Sequence, residues 1–245
     1  MLKRLALHAI RSFALFVALS YTILKVPELH YSYIRNHTEN ALVRVLNLEE
    51  TGGGTGVHVR TPSGKTYILT NDHVCQVAKD GEVLVSRFEE PAMTRKVVER
   101  SGFTDLCLIE GIPGVSGLTI GSETEIGRIV AVIGHPLLMP TTVSRGEIIG
   151  TRTMQVLIGL LEDAMPCDQP KNSIVEIDLF FFKAQACIIT VKANVSNIVI
   201  LPGNSGSPLV DFYGRVIGLA FAGNEGSNWG SFITLEDINL FLLKY

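Results

Sequence analysis

Residues 201–210, which read LPGNSGSPLV, place a serine between two glycines and decide how the rest of the chain is interpreted. Glycine has no Cβ, so the backbone around Ser205 can turn sharply and leave the hydroxyl uncrowded. The amides of Gly203 and Ser205 can then point to one spot, where the negative charge of a tetrahedral intermediate would develop. A serine hydroxyl is a weak nucleophile until a base removes its proton. The stretch therefore predicts a catalytic serine that needs a positioned histidine elsewhere in the chain.

Two earlier segments supply the partners that such a serine needs. TNDHVC at 70–75 places His73 directly after an apolar run, where strand-end loops line clefts. TDLCLI at 104–109 places Asp105 at the start of another apolar run, where a carboxylate must be exposed or hydrogen-bonded. A carboxylate beside a histidine fixes the tautomer of the ring and stabilises its charged form. Taken together in the order His73, Asp105, Ser205, the three residues predict a catalytic triad.

Short apolar runs rich in Val, Ile and Thr recur about every ten residues and predict an all-β domain, either a sandwich or a pair of barrels. The runs lie at 56–60, 66–70, 82–86, 106–110, 128–134, 146–150, 155–160, 186–192, 207–212 and 216–222. Turn residues separate them, and no alternation of strands with helices is present. Residues 159–183 are first acidic and then aromatic, and we interpret them as an extended loop or hairpin.

One helix is predicted near the end of the chain, over residues 234–244. Thr234 offers a hydroxyl N-cap, and Asp237 offers an acidic group three residues later, as in a capping box. The apolar residues that follow at helical spacing are Leu235, Ile238, Phe241 and Leu242. They give the helix one apolar face that can dock on a β-domain.

The order, spacing and flanking residues of these segments resemble the trypsin-like (chymotrypsin-fold) serine endopeptidases, most closely their Deg or high-temperature-requirement branch. The matching stretches are GGGTGVHV at 52–59, YILTNDHV at 67–74, TDLCLIEG at 104–111, IVAVIGHP at 129–136, SRGEIIG at 144–150, LPGNSGSPLVD at 201–211 and VIGLAFAG at 216–223. The resemblance covers about residues 41–245. It implies two six-stranded antiparallel β-barrels within one protease domain, the first at about 41–140 and the second at about 141–232.

By this resemblance His73 is the general base, Asp105 orients it, Ser205 is the nucleophile, and the amides of Gly203 and Ser205 form the oxyanion hole. The resemblance implies an endopeptidase that cleaves protein or peptide substrates through an acyl-enzyme, with no metal and no other cofactor. The alternative is a proteolytically silent binding or chaperone module on the same scaffold. We expect no peptide-binding PDZ domain, because the sequence stops at Tyr245, directly after the predicted helix.

The primary specificity pocket is predicted to be apolar. The position six before the nucleophile lies at the base of this pocket in the family, and here it is Val199, so no acidic residue is present to bind Lys or Arg. Ser207 and the motif GNSGSP resemble glutamyl endopeptidases, but residues 218–223 lack the histidine with which those enzymes hold an acidic side chain. We therefore expect a small or medium aliphatic side chain to bind. The predicted lining residues are Val199, Ala220, Phe221 and Ala222, with Ile200 beside them.

The N-terminal residues predict export from the cytoplasm. Basic residues precede the uncharged run SFALFVALSYTIL at 12–24. Residues 1–25 are either a secretory signal peptide with a small-x-small site at 18–20, or an uncleaved membrane anchor. The absence of a polar segment before the cleavage site favours the anchor. A linker at 26–40 would follow, and the protease domain would be membrane-anchored or secreted, on the extracytoplasmic side.

Charge and cysteine content exclude two further classes of protein. The 245 residues carry 21 Lys and Arg against 24 Asp and Glu, a formal net charge of −3, whereas a general nucleic-acid binder has a basic excess. The four cysteines, Cys75, Cys107, Cys167 and Cys187, form no C-x-x-C pair, which argues against structural zinc. Whether they form Cys75–Cys107 and Cys167–Cys187 disulfides or are free buried thiols stays open at this point.

Two other motifs carry no chemistry in this interpretation. SGKT at 63–66 lacks the glycine that a phosphate-binding loop needs five residues before Gly64, where Val59 stands, so we interpret it as a hairpin turn. His135, in IGHP at the end of an apolar run, is interpreted as a loop histidine rather than a catalytic one.

Overall fold

The fold is taken from a computed structural model that describes most of the chain beyond residue 29. The described residues are 30–50, 52–87, 90–101, 103–160, 172–179, 182–223 and 228–245, with only the backbone described for 156–160, 172–173, 175–179 and 182–187. The chain divides into two compact units, Met1–His37 and Thr38–Tyr245. Residues 1–25, predicted as a signal peptide or anchor, lie outside the described residues. Within the described ranges, no helix is long and apolar enough to cross a membrane.

Six strands of the Thr38–Tyr245 unit close into an antiparallel barrel. They are β1 (Leu42–Leu46), β2 (Gly53–Arg60), β3 (Thr66–Thr70), β4 (Glu82–Ser86), β5 (Met93–Ser101) and β6 (Leu106–Glu110), in the order β1-β2-β3-β6-β5-β4. The pairing of β1 with β4, with Val45 opposite Val85, closes the ring. Both of these valines and Ile68 are fully buried in the barrel core, and full burial of each such side chain contributes about 1.5–3 kcal/mol.

Seven further strands form a second sheet. They are β7 (Ile129–Gly134), β8 (Thr142–Leu160), β9 (Asn172–Leu179), β10 (Phe182–Ser196), β11 (Pro208–Val210), β12 (Val216–Gly223) and β13 (Gly230–Thr234), in the order β13-β12-β11-β7-β8-β10-β9. An additional pairing of β13 with β10 closes six of them into a ring, and β9 extends the sheet as the seventh strand. Phe232 and Leu209 are fully buried in the core of this ring. The predicted pair of six-stranded β-barrels is confirmed, although β7, which lies within the residues predicted for the first barrel, belongs to the second ring.

Two short helices belong to the Thr38–Tyr245 unit, and one helix is described before it. Helix α1 is described over residues 30–38, within the predicted linker, and 3-10 turns occupy Glu39–Ala41 and Pro136–Leu138. Helix α2 (Asp72–Cys75) and helix α3 (Leu235–Leu242) belong to the Thr38–Tyr245 unit. The Thr234 hydroxyl accepts a hydrogen bond from the Asp237 N–H at 3.1 Å and donates to the Asp237 carboxylate at 2.7 Å. The predicted N-cap is therefore confirmed, although the helix ends at Leu242.

The structure corrects the strand predictions in particular places. The runs at 146–150 and 155–160 belong to the single strand β8, because strands of a closed ring can continue past the ring into a hairpin. Strands β1, β5 and β13 were not predicted. Strand β5 alternates half-buried and exposed residues over most of its length and has no long apolar run, so its sequence carries little strand pattern. Residues 159–183, predicted as a loop or hairpin, contribute to a β9–β10 hairpin in which Leu179 pairs with Phe182.

One of the two cysteine pairs is resolved by the structure. A disulfide joins Cys75 and Cys107, both fully buried in the core of the first barrel, and links α2 to β6. Cys167 and the side chain of Cys187 lie outside the description. The two cysteines can pair because the barrel places the end of β3 beside the start of β6.

Candidate active site

Helix α2 is a single turn that follows β3 almost directly and carries His73. Because β3 and β6 are antiparallel and Thr70 lies opposite Cys107, the end of β3 and the start of β6 share one end of the barrel. The Cys75 N–H donates to the Asn71 carbonyl at 3.2 Å and closes the turn. The local fold thus places His73 next to the residue that precedes β6.

That residue is Asp105, which is 1% exposed and has a φ of 53°, a left-handed conformation that Asp tolerates better than most residues. Its carboxylate accepts two hydrogen bonds from His73, from the backbone N–H at 2.9 Å and from the ring Nδ1 at 2.8 Å. The Asn71 side-chain amide donates to the Asp105 carbonyl at 3.1 Å. Since a carboxylate accepts, Nδ1 carries the proton and Nε2 is the basic nitrogen of the neutral ring.

Electrostatics keep His73 basic despite its burial. Burial lowers the pKa of His73, but the hydrogen bond and charge of Asp105 and the charge of Asp72 raise it more, so its pKa lies above 6.5. Asp72 is itself buried and accepts two hydrogen bonds from Arg100, at 2.6 and 3.1 Å. Burial raises the pKa of Asp72 even though Arg100 opposes the shift. Neither Asp72 nor Arg100 was predicted as a site residue, although Asp72 adjoins His73 in the chain.

Backbone contacts bring Ser205 to the same end of the first barrel. The Thr55 N–H donates to the Ser205 carbonyl at 2.8 Å. A Cβ on Gly54 would lie 2.7 Å from the Ser205 carbonyl oxygen and 2.8 Å from Val74 Cγ2, so the serine loop and α2 meet over this glycine. Among the described residues there is no hydrogen bond between the Ser205 hydroxyl and the His73 ring. Such bonds are often long in unliganded active sites and tighten when substrate binds.

A tight turn precedes Ser205 and contains the predicted oxyanion-hole amide. The Asn204 N–H donates to the Leu201 carbonyl at 3.0 Å, with Pro202 and Gly203 at the central positions and a Gly203 φ of 87°. These are the residues and dihedral of a type II turn, which needs glycine at its third position. The Leu137 N–H donates to the Pro202 carbonyl at 2.7 Å. In a trans peptide the N–H points opposite the carbonyl, so the Gly203 N–H faces away from Leu137.

The predicted pocket residues differ in how far they are exposed. Val199 is 45% exposed, whereas Ala220 is fully buried in the core of the second ring. The remaining two are Phe221, which is buried, and Ala222, which is half-buried. Ile200 lies across the facing ends of β12 and β13, where a Cβ on Gly230 would be 2.3 Å from Ile200 Cγ1. Ile200 therefore occupies space beside the predicted pocket.

Thr55 and Leu137 were not predicted as site residues, and His135 was interpreted as a loop histidine without a catalytic role. Thr55 hydrogen-bonds to residues 80 and 148 positions away, the His135 N–H and the Gly203 carbonyl. No local pattern reports contacts of that range. Thr55 lies in the stretch GGGTGVHV that supports the family resemblance, and this was the one available indication.

Two antiparallel β-rings, with a histidine–carboxylate pair on the first and a Gly-Asn-Ser-Gly turn of the second packed beside it, have the architecture of chymotrypsin-like peptidases. Residues 54–219 match the family described as "Trypsin-like peptidase domain", which is well over half of the chain. The protein belongs to the trypsin-like peptidase family.

Curated relatives are HtrA and DegP-like proteases. Serine protease Do-like HtrB of Bacillus subtilis (strain 168) is 31% identical over 185 residues, which are 69% of this chain and 34% of the relative. Serine protease Do-like HtrA of the same organism is 27% identical over 69% of this chain and 33% of its own length. A probable periplasmic serine endoprotease DegP-like of Chlamydia trachomatis is 30% identical over 71% of this chain and 29% of its own length. The matched region spans about a third of these relatives.

Solved structures share the fold. The Rv3671c protease from M. tuberculosis in its active form is 22% identical with a TM-score of 0.63, over 89% of this chain and 86% of its own. The serine endoprotease from Yersinia pestis is 21% identical with a TM-score of 0.61, over 87% of this chain and 65% of its own. Both similarities support the double-barrel fold, and the curated relatives confirm the predicted resemblance to the Deg or HtrA branch.

Proposed function

We propose that the protein is a serine endopeptidase of the HtrA type, with His73, Asp105 and Ser205 as its catalytic residues. The observation that carries this proposal is the doubly hydrogen-bonded His73–Asp105 pair beside the serine turn. Membership of the trypsin-like peptidase family supports it. The substrates would be proteins or peptides.

In the proposed reaction Ser205 Oγ attacks the scissile carbonyl carbon, and His73 Nε2 takes the hydroxyl proton. The same nitrogen then delivers that proton to the leaving amine, so the peptide bond breaks and an acyl-enzyme forms. Water then attacks the acyl carbon and gives a proton to Nε2. Nε2 passes that proton to Ser205 Oγ as the bond between Oγ and the acyl carbon breaks, which releases the carboxylic acid and restores the Ser205 hydroxyl. Asp105 holds Nδ1 protonated throughout, which keeps Nε2 available as the base.

The Gly203 and Ser205 amides would bind the oxyanion of the tetrahedral intermediate. The type II turn and the hydrogen bond from the Leu137 N–H to the Pro202 carbonyl support this role for Gly203, because they fix the direction of the Gly203 N–H. Preorganised donors of this kind are effective because they need no reorientation as charge develops.

We further propose that the primary pocket accepts small or medium aliphatic side chains. The exposed Val199 and the half-buried Ala222 support an apolar lining, and Ile200 across the ends of β12 and β13 would limit its depth. A peptide library that showed Lys, Arg or Glu dominating at the cleaved position would contradict this preference.

The proposed location is outside the cytoplasm. The Chlamydia relatives are named periplasmic, and the Cys75–Cys107 disulfide fits an oxidising compartment, where such bonds persist. Attachment to a membrane through residues 1–25 stays a prediction.

Labelling with a fluorophosphonate probe tests the proposed activity. We expect the folded protein to be labelled and the Ser205→Ala variant to lose labelling, because the probe reacts with an activated serine. Ser207→Ala is the matched control and should retain labelling, since Ser207 lies two residues after Ser205 but is fully buried. Two outcomes would contradict the proposal. One is labelling of Ser205→Ala equal to that of the wild type, and the other is no labelling of the folded wild type. The second outcome would favour a silent binding module.

A further inference from the structure

Thr55, on β2 of the first barrel, makes a hydrogen bond through each of its polar groups, two of them to the segment that contains Ser205. Its N–H donates to the Ser205 carbonyl at 2.8 Å, and its carbonyl accepts from the Thr70 hydroxyl at 2.7 Å. Its own hydroxyl donates to the Gly203 carbonyl at 2.9 Å and accepts from the His135 N–H at 3.0 Å. The residue is fully buried. These four bonds make Thr55 the point where β2, the serine turn and the segment after β7 meet.

The two peptide planes on either side of Gly203 are each held at a carbonyl. The Leu137 N–H holds the Pro202 carbonyl, and the Thr55 hydroxyl holds the Gly203 carbonyl. Glycine rotates easily about both of its backbone dihedrals, so these planes could otherwise turn over and reverse the Gly203 N–H. Together with the bond from the Asn204 N–H to the Leu201 carbonyl, which holds the second plane at its other end, these two hydrogen bonds set the direction in which the Gly203 N–H points.

The same hydroxyl also supports the segment that holds Pro202. Leu137 and Leu138 have φ values of 51° and 58°, and two consecutive left-handed leucines persist only where surrounding contacts impose them. The bond from the His135 N–H to Thr55 Oγ1 is one such contact, and the bond between the His135 ring and the Met139 carbonyl is another. Thr55 therefore supports both hydrogen bonds to the turn. It makes the bond to the Gly203 carbonyl itself, and it helps to fix residues 135–139, from which the Leu137 N–H bonds to the Pro202 carbonyl.

We propose that Thr55 is a positioning residue whose hydroxyl orients the Gly203 amide towards the oxyanion. The inference rests on the proposed peptidase function and deepens it. Thr55 acts through the serine turn and touches neither His73 nor Asp105 through any described hydrogen bond. Its loss should weaken binding of the transition state more than binding of the substrate, because the oxyanion exists only in the former.

The test compares Thr55→Val, which keeps the shape and removes the hydroxyl, with Thr55→Ser, which keeps the hydroxyl. We expect Thr55→Val to lower kcat by about 10- to 100-fold, which is at most the lower end of the decrease seen when an oxyanion-hole donor itself is removed. KM should stay within about twofold of the wild-type value, because the substrate carries no oxyanion. Binding of a peptide boronate should weaken in parallel with kcat. The pH midpoint of kcat/KM should stay unchanged, and Thr55→Ser should restore most of the activity.

Thr61→Val is the matched control, since it removes a threonine hydroxyl that donates to the Lys65 carbonyl in a hairpin. It should leave kcat and KM unchanged. If Thr55→Val does not fold, Thr55→Ser and Thr55→Ala give the same comparison, because they differ by one oxygen. A Thr55→Val or Thr55→Ala kcat equal to that of the wild type would overturn the inference, as would a Thr55→Ser variant as impaired as the variant without a hydroxyl.

Failure of the inference differs from failure of the proposed function. If Ser205→Ala is as active as the wild type, the peptidase function is wrong and the inference falls with it. If turnover depends on Ser205 but not on the Thr55 hydroxyl, the inference alone is wrong.

Discussion

At the scale of single residues, His73 lies close to two carboxylates that differ in their partners. Asp105 bonds to its ring directly, whereas Asp72 is held by Arg100 through both oxygens. Burial lowers the pKa of His73, and the two carboxylates raise it above 6.5. A general base must be neutral, so we expect activity to fall as the pH drops through this raised pKa.

Asp72→Asn should move the acid limb of the kcat/KM profile to lower pH. The substitution removes a negative charge that raises the pKa of His73 and leaves the positive charge of Arg100 uncompensated, and both effects favour the neutral ring. A pH profile with a peptide substrate measures this, because kcat/KM reports the free enzyme. Asp80→Asn, at an exposed turn residue, should not move the limb. A shift to higher pH for Asp72→Asn would contradict the electrostatic account.

At the scale of secondary-structure elements, the site depends on holding α2 against β6. Helix α2 is a single turn and has little stability of its own, since short helices depend on tertiary contacts. The Cys75–Cys107 disulfide ties it to the strand that Asp105 precedes. Each cysteine follows its candidate catalytic residue by two positions, so the covalent link joins the same two segments as the His73–Asp105 hydrogen bonds.

Replacing both cysteines by alanine should lower the free energy of unfolding by about 2–4 kcal/mol, in the range typical for loss of a native disulfide. Urea unfolding of the wild type and of Cys75→Ala/Cys107→Ala measures the difference. A reductant should remove the difference between the wild type and the double variant, because both proteins then lack the Cys75–Cys107 bond. Equal unfolding midpoints for oxidised wild type and double variant would show that the disulfide contributes nothing.

At the scale of the whole Thr38–Tyr245 unit, the last residues connect the two β-rings. Helix α3 follows β13 of the second ring, while Tyr245 contacts the first barrel. Its ring lies 5.5 Å from that of Tyr67, and its carbonyl accepts from the Ser63 N–H at 3.0 Å. The Tyr245 hydroxyl and Lys244 both bond to Glu99 on β5. The two rings are thus joined at this end as well as at the serine turn.

Tyr245→Phe should lower the free energy of unfolding by about 1 kcal/mol near neutral pH, the usual contribution of one hydrogen bond. Burial and the bond to Glu99 raise the pKa of Tyr245 to about 12 from its ordinary 10.0. The advantage of the wild type is therefore complete below pH 10 and lost as the pH rises towards 12, because the unfolded tyrosine ionises first. Tyr213→Phe, at a side chain 61% exposed, should show neither effect.

The parts of the fold that were predictable are those with a local physical cause. The Thr234 cap depends on a residue three positions away, and the buried strands on runs of β-branched side chains. Strand β5 was not predicted because charged residues such as Lys96 and Glu99 interrupt its apolar residues. Its pairing with β6, a distant segment, makes it a strand. The roles of His73, Asp105 and Ser205 and the lining of the pocket stay predictions.

The sequence by itself determined the class of fold, the family and the order of the candidate catalytic residues, because apolar periodicity and short motifs are properties of neighbouring residues. Only the tertiary structure decided that Cys75 pairs with Cys107 and that β10 meets β13 to close the second ring. It also decided that Thr55 joins Gly203 to His135. These contacts link residues that are tens of positions or more apart, so their energies arise only when folding has brought the distant segments together.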